Sequence, residues 1–274
     1  MEELVRGEIR RFMAESPENR FPESDVCYFD EPLVGFAAAT DPLFTDYKRI
    51  IGSFHLTPVE VMAGTLGADS VPATVICWVL PITRSTRESN RRECRFPSRE
   101  WAFTRSCGEQ LNAALRRHLV AWLTERGHRA VAPQLSPVWQ EYADSPVGVA
   151  SAWSERHAAY AAGLGTFSLN DALITPRGIA HRLGSVITDL PLAPNERPYP
   201  DRRHNCLFFR DGSCGLCIGR CPVGALSREG HDKARCRAYV YEELPRAVGE
   251  AYGVPAVGCG LCQTAVPCEG AIPP

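Results

Sequence analysis

No stretch of this sequence is both long and apolar enough to cross a bilayer. The longest nearly apolar run, Val71 to Ile82, has twelve residues and is interrupted by Pro72 and Pro81. A spanning helix needs about 20 residues, so the run reads as a core strand. The first residues, Met-Glu-Glu-Leu, carry no apolar signal region, and no hydrophobic stretch follows Arg10-Arg11. An export signal is therefore not expected. Charge of one sign is also lacking. The formal net charge is −2, which creates no global pull toward nucleic acid or anionic membrane. These absences predict a cytoplasmic protein with no membrane partner, and nucleic acid is not expected as a partner. A glycine-rich nucleotide fingerprint of the Rossmann type is missing as well, so electrons are expected one at a time from a protein donor such as a ferredoxin or flavodoxin.

Cysteine, by contrast, is abundant: the 274 residues contain 12. In a reducing compartment disulfides are not the default, and tightly spaced cysteines point to metal. Cys27, Cys77, Cys94 and Cys107 are far apart and read as buried small hydrophobes. The other eight lie beyond residue 200. Between the two regions, Pro191 to Pro200 has four prolines in ten residues, the composition of a stiff linker. The expected organisation is a domain over 1–192, a linker over 193–200 and a cysteine-rich domain over 201–274.

The first domain alternates helix and strand signals. Glu2 to Glu15 reads as a helix. Thr57-Pro58-Val59-Glu60 has a Thr cap, Pro at the first helical position and Glu three residues on. Val71 to Leu80 reads as a buried strand. Ser98 caps a helix with an apolar stripe of Leu111, Leu115, Leu119, Trp122 and Leu123, closed by Gly127. A short strand is expected over 129–132, a helix over Ser151 to Ala162, and a strand over Gly184 to Leu190. The class is α/β (α+β), a sheet with helices packed on it.

The densest motif is Cys214-x2-Cys217-x3-Cys221-Pro222, followed by Val-Gly-Ala-Leu. A 4Fe–4S cube takes four thiolates at its corners, and a glycine-containing loop supplies several while turning its N–H groups toward the sulfurs. Cys206 lies eight residues upstream. Cys236, Cys259-x2-Cys262 and Cys268 form a second group. A four-thiolate zinc site is the rival. The Cys-Pro-x-Gly-Ala sequence and the count of eight ligands favour two 4Fe–4S clusters.

Upstream runs Tyr160-Ala-Ala-Gly-Leu-Gly-Thr-Phe-Ser-Leu-Asn170, then Leu-Ile-Thr-Pro176 and Ser-Val-Ile-Thr-Asp-Leu-Pro191. By itself this is a helix end, a glycine turn, a loop and a strand, and Gly163 and Gly165 permit close backbone approach to a ligand. With the cysteines it resembles the superfamily of epoxyqueuosine reductases and corrinoid-dependent reductive dehalogenases, closely over about 140–274. The resemblance implies a nitroreductase-like sandwich followed by a bacterial-ferredoxin-like module. It also implies a corrinoid such as cobalamin bound face-on (FMN being the alternative), with Gly163, Gly165, Thr175 and Arg182 as cofactor contacts. In related modules the Cys before Pro crosses to the other cluster. That assigns Cys206, Cys214, Cys217 and Cys268 to one cube, and Cys221, Cys236, Cys259 and Cys262 to the other. The corrinoid is expected above the glycine turn, toward the Cys206 side.

The family carries an Asp proton donor where this chain has Val149, while Glu155 falls on the family's Glu. A substrate other than epoxyqueuosine is therefore expected, a small molecule. Trp153, His157 and Tyr160 share one helix face, and His157 or Tyr160 is the expected proton donor. His181 and Arg182 are candidate substrate contacts. The arginines between Arg84 and Arg105 read as a solvated stretch, or alternatively as an anion-binding edge. The functional expectation is an iron–sulfur reductase. Its rival is a non-catalytic electron carrier or a reductive activator of a partner corrinoid protein.

Overall fold

The computed structural model describes every residue except Glu23. At its centre lies a four-stranded antiparallel sheet of β1 (Leu33–Ala38), β2 (Thr74–Pro81), β3 (Ala130–Val131) and β4 (His181–Thr188), in the order β1-β2-β4-β3. β2 is buried along its whole length. Its alternate side chains therefore feed two different cores, as the two-residue period of a strand requires.

Ile76, Trp78 and Leu80 face one layer, made by α1 (Glu2–Glu15) and α5 (Arg99–Thr124). Val75, Cys77 and Val79 face the other, made by α2 (Pro42–Ile50), α3 (Pro58–Leu66) and α6 (Glu155–Ala161). A further helix, α4 (Arg84–Arg91), follows β2. The result is a mixed α/β sandwich with helices on both faces of the sheet. Among the described residues no helix is long and apolar enough to cross a membrane.

Local chemistry sets most boundaries. α1 spans the expected residues and buries Val5, Ile9 and Met13 at helical spacing. Thr57 and Glu60 form the expected capping box on α3. The Ser98 hydroxyl accepts from the Trp101 N–H at the start of α5. The helix expected from Ser151 begins only at Glu155, because Ala150–Ser151 is drawn into a two-stranded pairing with Glu141–Tyr142. β1 and α2 have no counterpart among the expected elements. Leu33–Ala38 is short and continuously apolar, a pattern that periodicity cannot assign.

The proline-rich segment runs along β1. The Asn195 N–H donates to the Phe36 carbonyl at 2.9 Å, and its Oδ1 accepts from the Phe36 N–H at 2.8 Å. The cysteine-rich region beyond it is equally attached to the first domain. The Ile179 N–H donates to the Cys268 carbonyl at 2.8 Å, and the Asn90 amide donates to Thr264 Oγ1 at 3.1 Å. That region contains a helical stretch over 233–252, wound as π-helix at Tyr239–Glu243 and Pro245–Gly249. Pro245, at the start of the second of these segments, has no N–H to give to the regular ladder.

Candidate metal centres and adjoining cleft

Cys206 precedes the short helix Leu207–Arg210, and Cys214 and Cys217 flank the turn into Leu216–Gly219. With Cys268 they line one cavity, whose other walls include Leu169, Ile174, Ile179 and Val266. Burial pushes the Cys217 thiol up to about 11, and Cys206 and Cys214 add to the rise. Burial likewise pushes Cys268 up to about 12, with Cys206, Cys217 and Cys214 contributing.

The remaining four thiols are also neighbours. Burial pushes Cys259 up to about 12, with Cys236 and Cys221 adding to the rise. Cys262 is driven well above the ordinary thiol range by burial and then by Cys259. The Ala225 N–H donates to Cys221 Sγ at 3.2 Å, and the Asn170 amide donates to the Cys262 carbonyl at 3.1 Å. Buried thiols in one another's fields cannot all ionise unless a cation lies among them. Both sets are therefore chemically suited to a cationic iron–sulfur core. Among the described residues, no three metal-binding side chains converge tightly enough to hold a single ion.

The glycines beside Cys259 shape its loop. A Cβ on Gly260 would lie 1.9 Å from the Trp101 ring, and one on Gly258 would lie 2.7 Å from the Arg105 stem. Both have positive φ, 65° and 68°. Only glycine allows the loop to lie directly on α5 in that conformation.

This loop closes one side of a cleft. The cleft is bounded by Arg105 and Glu109 of α5, Glu155 of α6, and His181 and Arg182 of β4. Glu109 is shared between two arginines, accepting from Arg182 Nε at 3.0 Å and Arg116 Nη1 at 3.0 Å. Burial opposes its ionisation, but the charges of Arg182 and Arg116 outweigh that and hold it at about 2. Arg116, only 1% exposed, also reaches Glu155 at 3.4 Å and the Leu183 carbonyl at 3.0 Å. Glu155 behaves differently. Burial raises its pKa, Arg116 only partly offsets this, and its Oε2 has no hydrogen-bond partner among the described residues. It is thus a carboxyl inclined to hold a proton beside the cleft.

The candidates named from sequence are distributed unevenly. Arg182 lines the cleft, and Cys259 and Cys236 border it and its extension past Ser154 and His157. It is the Cys259 set that adjoins the cleft. The Cys206 set, expected on that side, opens onto a separate cavity. Gly163 and Gly165 meet protein, where a ligand was expected. A Cβ would lie 2.3 Å from the Glu196 carbonyl and 2.5 Å from the Ile174 carbonyl, respectively. Their small size admits the proline-rich segment and the Leu173–Ile174 strand. Thr175 is fully buried and donates to the Gly178 carbonyl at 2.8 Å, so it shapes a turn.

Tyr160 packs its ring against Phe167 and is not among the cleft residues. His157 borders the extension, but burial and Arg156 depress its pKa to about 3, leaving it a neutral ring bonded to Ser154 Oγ at 2.8 Å. Cys77 is buried, Cys27 and Cys107 are half-buried, and Cys94 is exposed, so it does not act as a core residue. The α4 arginines do not form an open anion-binding edge: Arg91 pairs with the buried Glu269, and Arg84 with Glu88 on the surface. Sequence reading missed the Glu109–Arg116 pair. The available signal was two opposite charges seven residues apart on the apolar stripe of α5.

No family model matches the chain. A curated epoxyqueuosine reductase of Gloeobacter violaceus is 32% identical over 203 residues, which is 71% of this chain and 56% of that protein. The chain therefore spans little more than half the length of that relative. An epoxyqueuosine reductase solved with a tRNA-Tyr epoxyqueuosine-modified stem loop matches with a TM-score of 0.55 at 20% identity, over 98% of this chain and 65% of that one. A reductive dehalogenase whose structure suggests a mechanism for B12-dependent dehalogenation matches with a TM-score of 0.50 at 16% identity, over 84% and 29%. At these identities the structural matches show a shared fold.

Proposed function

Because the chain belongs to the superfamily of the epoxyqueuosine reductases, whose fold the reductive dehalogenases share, we propose that it is an iron–sulfur reductase acting on a substrate bound in the cleft. The observation that carries this reading is the gathering of eight cysteines into two sets of four. Cys206, Cys214, Cys217 and Cys268 would hold one 4Fe–4S cluster, and Cys221, Cys236, Cys259 and Cys262 the other. When bound, the clusters supply single electrons, and a corrinoid in the cleft (or FMN) supplies a strongly reducing centre.

The protein's own residues have distinct tasks in this scheme. Glu109 fixes Arg182 and Arg116 at the cleft wall. Glu155 holds a proton where a reduced substrate needs one, and replaces His157 and Tyr160 as the proposed donor. Trp101 packs against Gly260 and so holds the Gly258–Gly260 loop beside the thiols of the second set.

The test is anaerobic reconstitution. About eight irons and eight sulfides per chain are expected, with absorption that bleaches under dithionite. Titration with cob(II)alamin, followed by paramagnetic resonance, should change the cobalt signal. If neither cobalamin nor FMN binds, the electron-carrier reading becomes the better one. An epoxyqueuosine-bearing tRNA stem loop belongs in the same assay, because a structural neighbour was solved with one.

A further inference from the structure

Arg105 stands apart from the other charges of the cleft. Arg116 has Glu109 and Glu155, and Arg182 has Glu109. Arg105 has no carboxylate within ion-pair distance among the described residues, although its stem is held under Gly258 and its head lines the cleft beside Arg182. The Arg182 charge, and then burial, depress the Arg105 pKa. Tyr241 and Glu109 offset this only in part, the behaviour of two cations brought together without full compensation. The protein bears an electrostatic cost here that a bound anion would remove.

His181 adds a second requirement. Its Nε2 lies 2.9 Å from the Leu173 carbonyl. A carbonyl only accepts, so Nε2 carries the hydrogen and Nδ1 presents a lone pair. Burial keeps the ring neutral, depressing its pKa to about 4. Nδ1 is buried with no hydrogen-bond partner among the described residues, while the residue lines the same cleft as Arg105 and Arg182. A buried acceptor of this kind costs free energy until a donor reaches it.

We infer that Arg105, Arg182 and His181 form a binding subsite for an oxyanion that itself carries an O–H, such as a hydroxycarboxylate or a hydrogen phosphate. The guanidinium groups take the charged oxygens, and His181 Nδ1 accepts from the hydroxyl. This inference rests on the cleft being the substrate site of the proposed reductase and names the substrate class. An acceptor also gives selectivity, because an oxyanion without a proton would set a lone pair against a lone pair.

The test uses the reconstituted full chain and the fluorescence of Trp101, which lines the same cleft, with calorimetry as a second readout. The probes are inorganic phosphate against sulfate, glycolate against acetate, and dimethyl phosphate for a phosphodiester. Phosphate should bind at least tenfold tighter than sulfate, and glycolate tighter than acetate by a similar factor. Arg105→Gln should abolish binding, and Arg105→Lys should weaken it. His181→Leu should erase the phosphate-over-sulfate preference, and His181→Gln, which can still donate and accept, should restore part of it. Equal affinity for phosphate and sulfate in the native protein would overturn the inference even if a variant fails to fold. So would binding of none of the probes, or binding indifferent to Arg105→Gln. Iron content and cobalamin binding, measured on the same samples, separate failure of this subsite from failure of the reductase reading.

Discussion

Arg91 sets its Nε against both oxygens of the Glu269 carboxylate, at 3.0 and 2.7 Å. Glu269 directly follows Cys268, is 3% exposed, and also accepts from the Ala265 N–H at 2.8 Å. One carboxylate therefore ties a candidate cluster ligand to α4 and folds its own loop. Replacing it by Leu leaves the Ala265 N–H and the Arg91 head unpaired. Arg91 is half exposed, so its share is screened. The expected cost is about 2 kcal/mol, read from denaturant midpoints, with reduced iron retention by the Cys206 set.

The ligand pairing makes a separate prediction. Cys221 is adjacent in sequence to Cys214 and Cys217 but lies with Cys236 and Cys259 in space. Cys221→Ala should damage the cluster assigned to Cys259 and Cys262 and spare the other. Paramagnetic resonance of the reduced protein, with iron analysis, distinguishes the two. Loss of the Cys214 cluster alone would show the pairing to be wrong.

Gly260 offers a test of the loop that borders the cleft. With φ at 65° and the Trp101 ring 1.9 Å from where a Cβ would stand, Gly260→Ala must displace the loop. Iron content should fall from about eight to about four per chain, with the signal of the Cys206 set retained. Full iron content in this variant would count against the assignment.

Stability should depend on pH through His55. Burial and then Lys48 depress its pKa from 6.5 to about 4. In the unfolded chain the ring takes a proton near pH 6.5, and in the native protein only near 4. The unfolded state binds more protons between these values, so native stability is fully present above about pH 6.5 and declines as pH falls toward 4. Between pH 7 and 5 the native protein should lose about 2 kcal/mol more than His55→Gln. Parallel curves for the two proteins, from unfolding midpoints at each pH, would refute it.

Chain-local chemistry settled the parts of this protein that depend on neighbours in sequence. The caps at Thr57 and Ser98, the stripe on α5 and the apolar run of β2 each specify an element through backbone hydrogen bonding and side-chain period, which act over a few residues. The cysteine spacing marked the candidate metal centres for the same reason: a cube must be wrapped by a short loop. What lay beyond the sequence was every relation between distant segments. Whether Gly163 faced a ligand or Glu196, and which thiols bordered the cleft, depended on how the sheet and the cysteine-rich region pack. The raised pKa of Glu155 depended on burial that no local pattern records, opposed in part by Arg116, 39 residues away. Desolvation and charge pairing are properties of the assembled interior, and only the tertiary structure decides them.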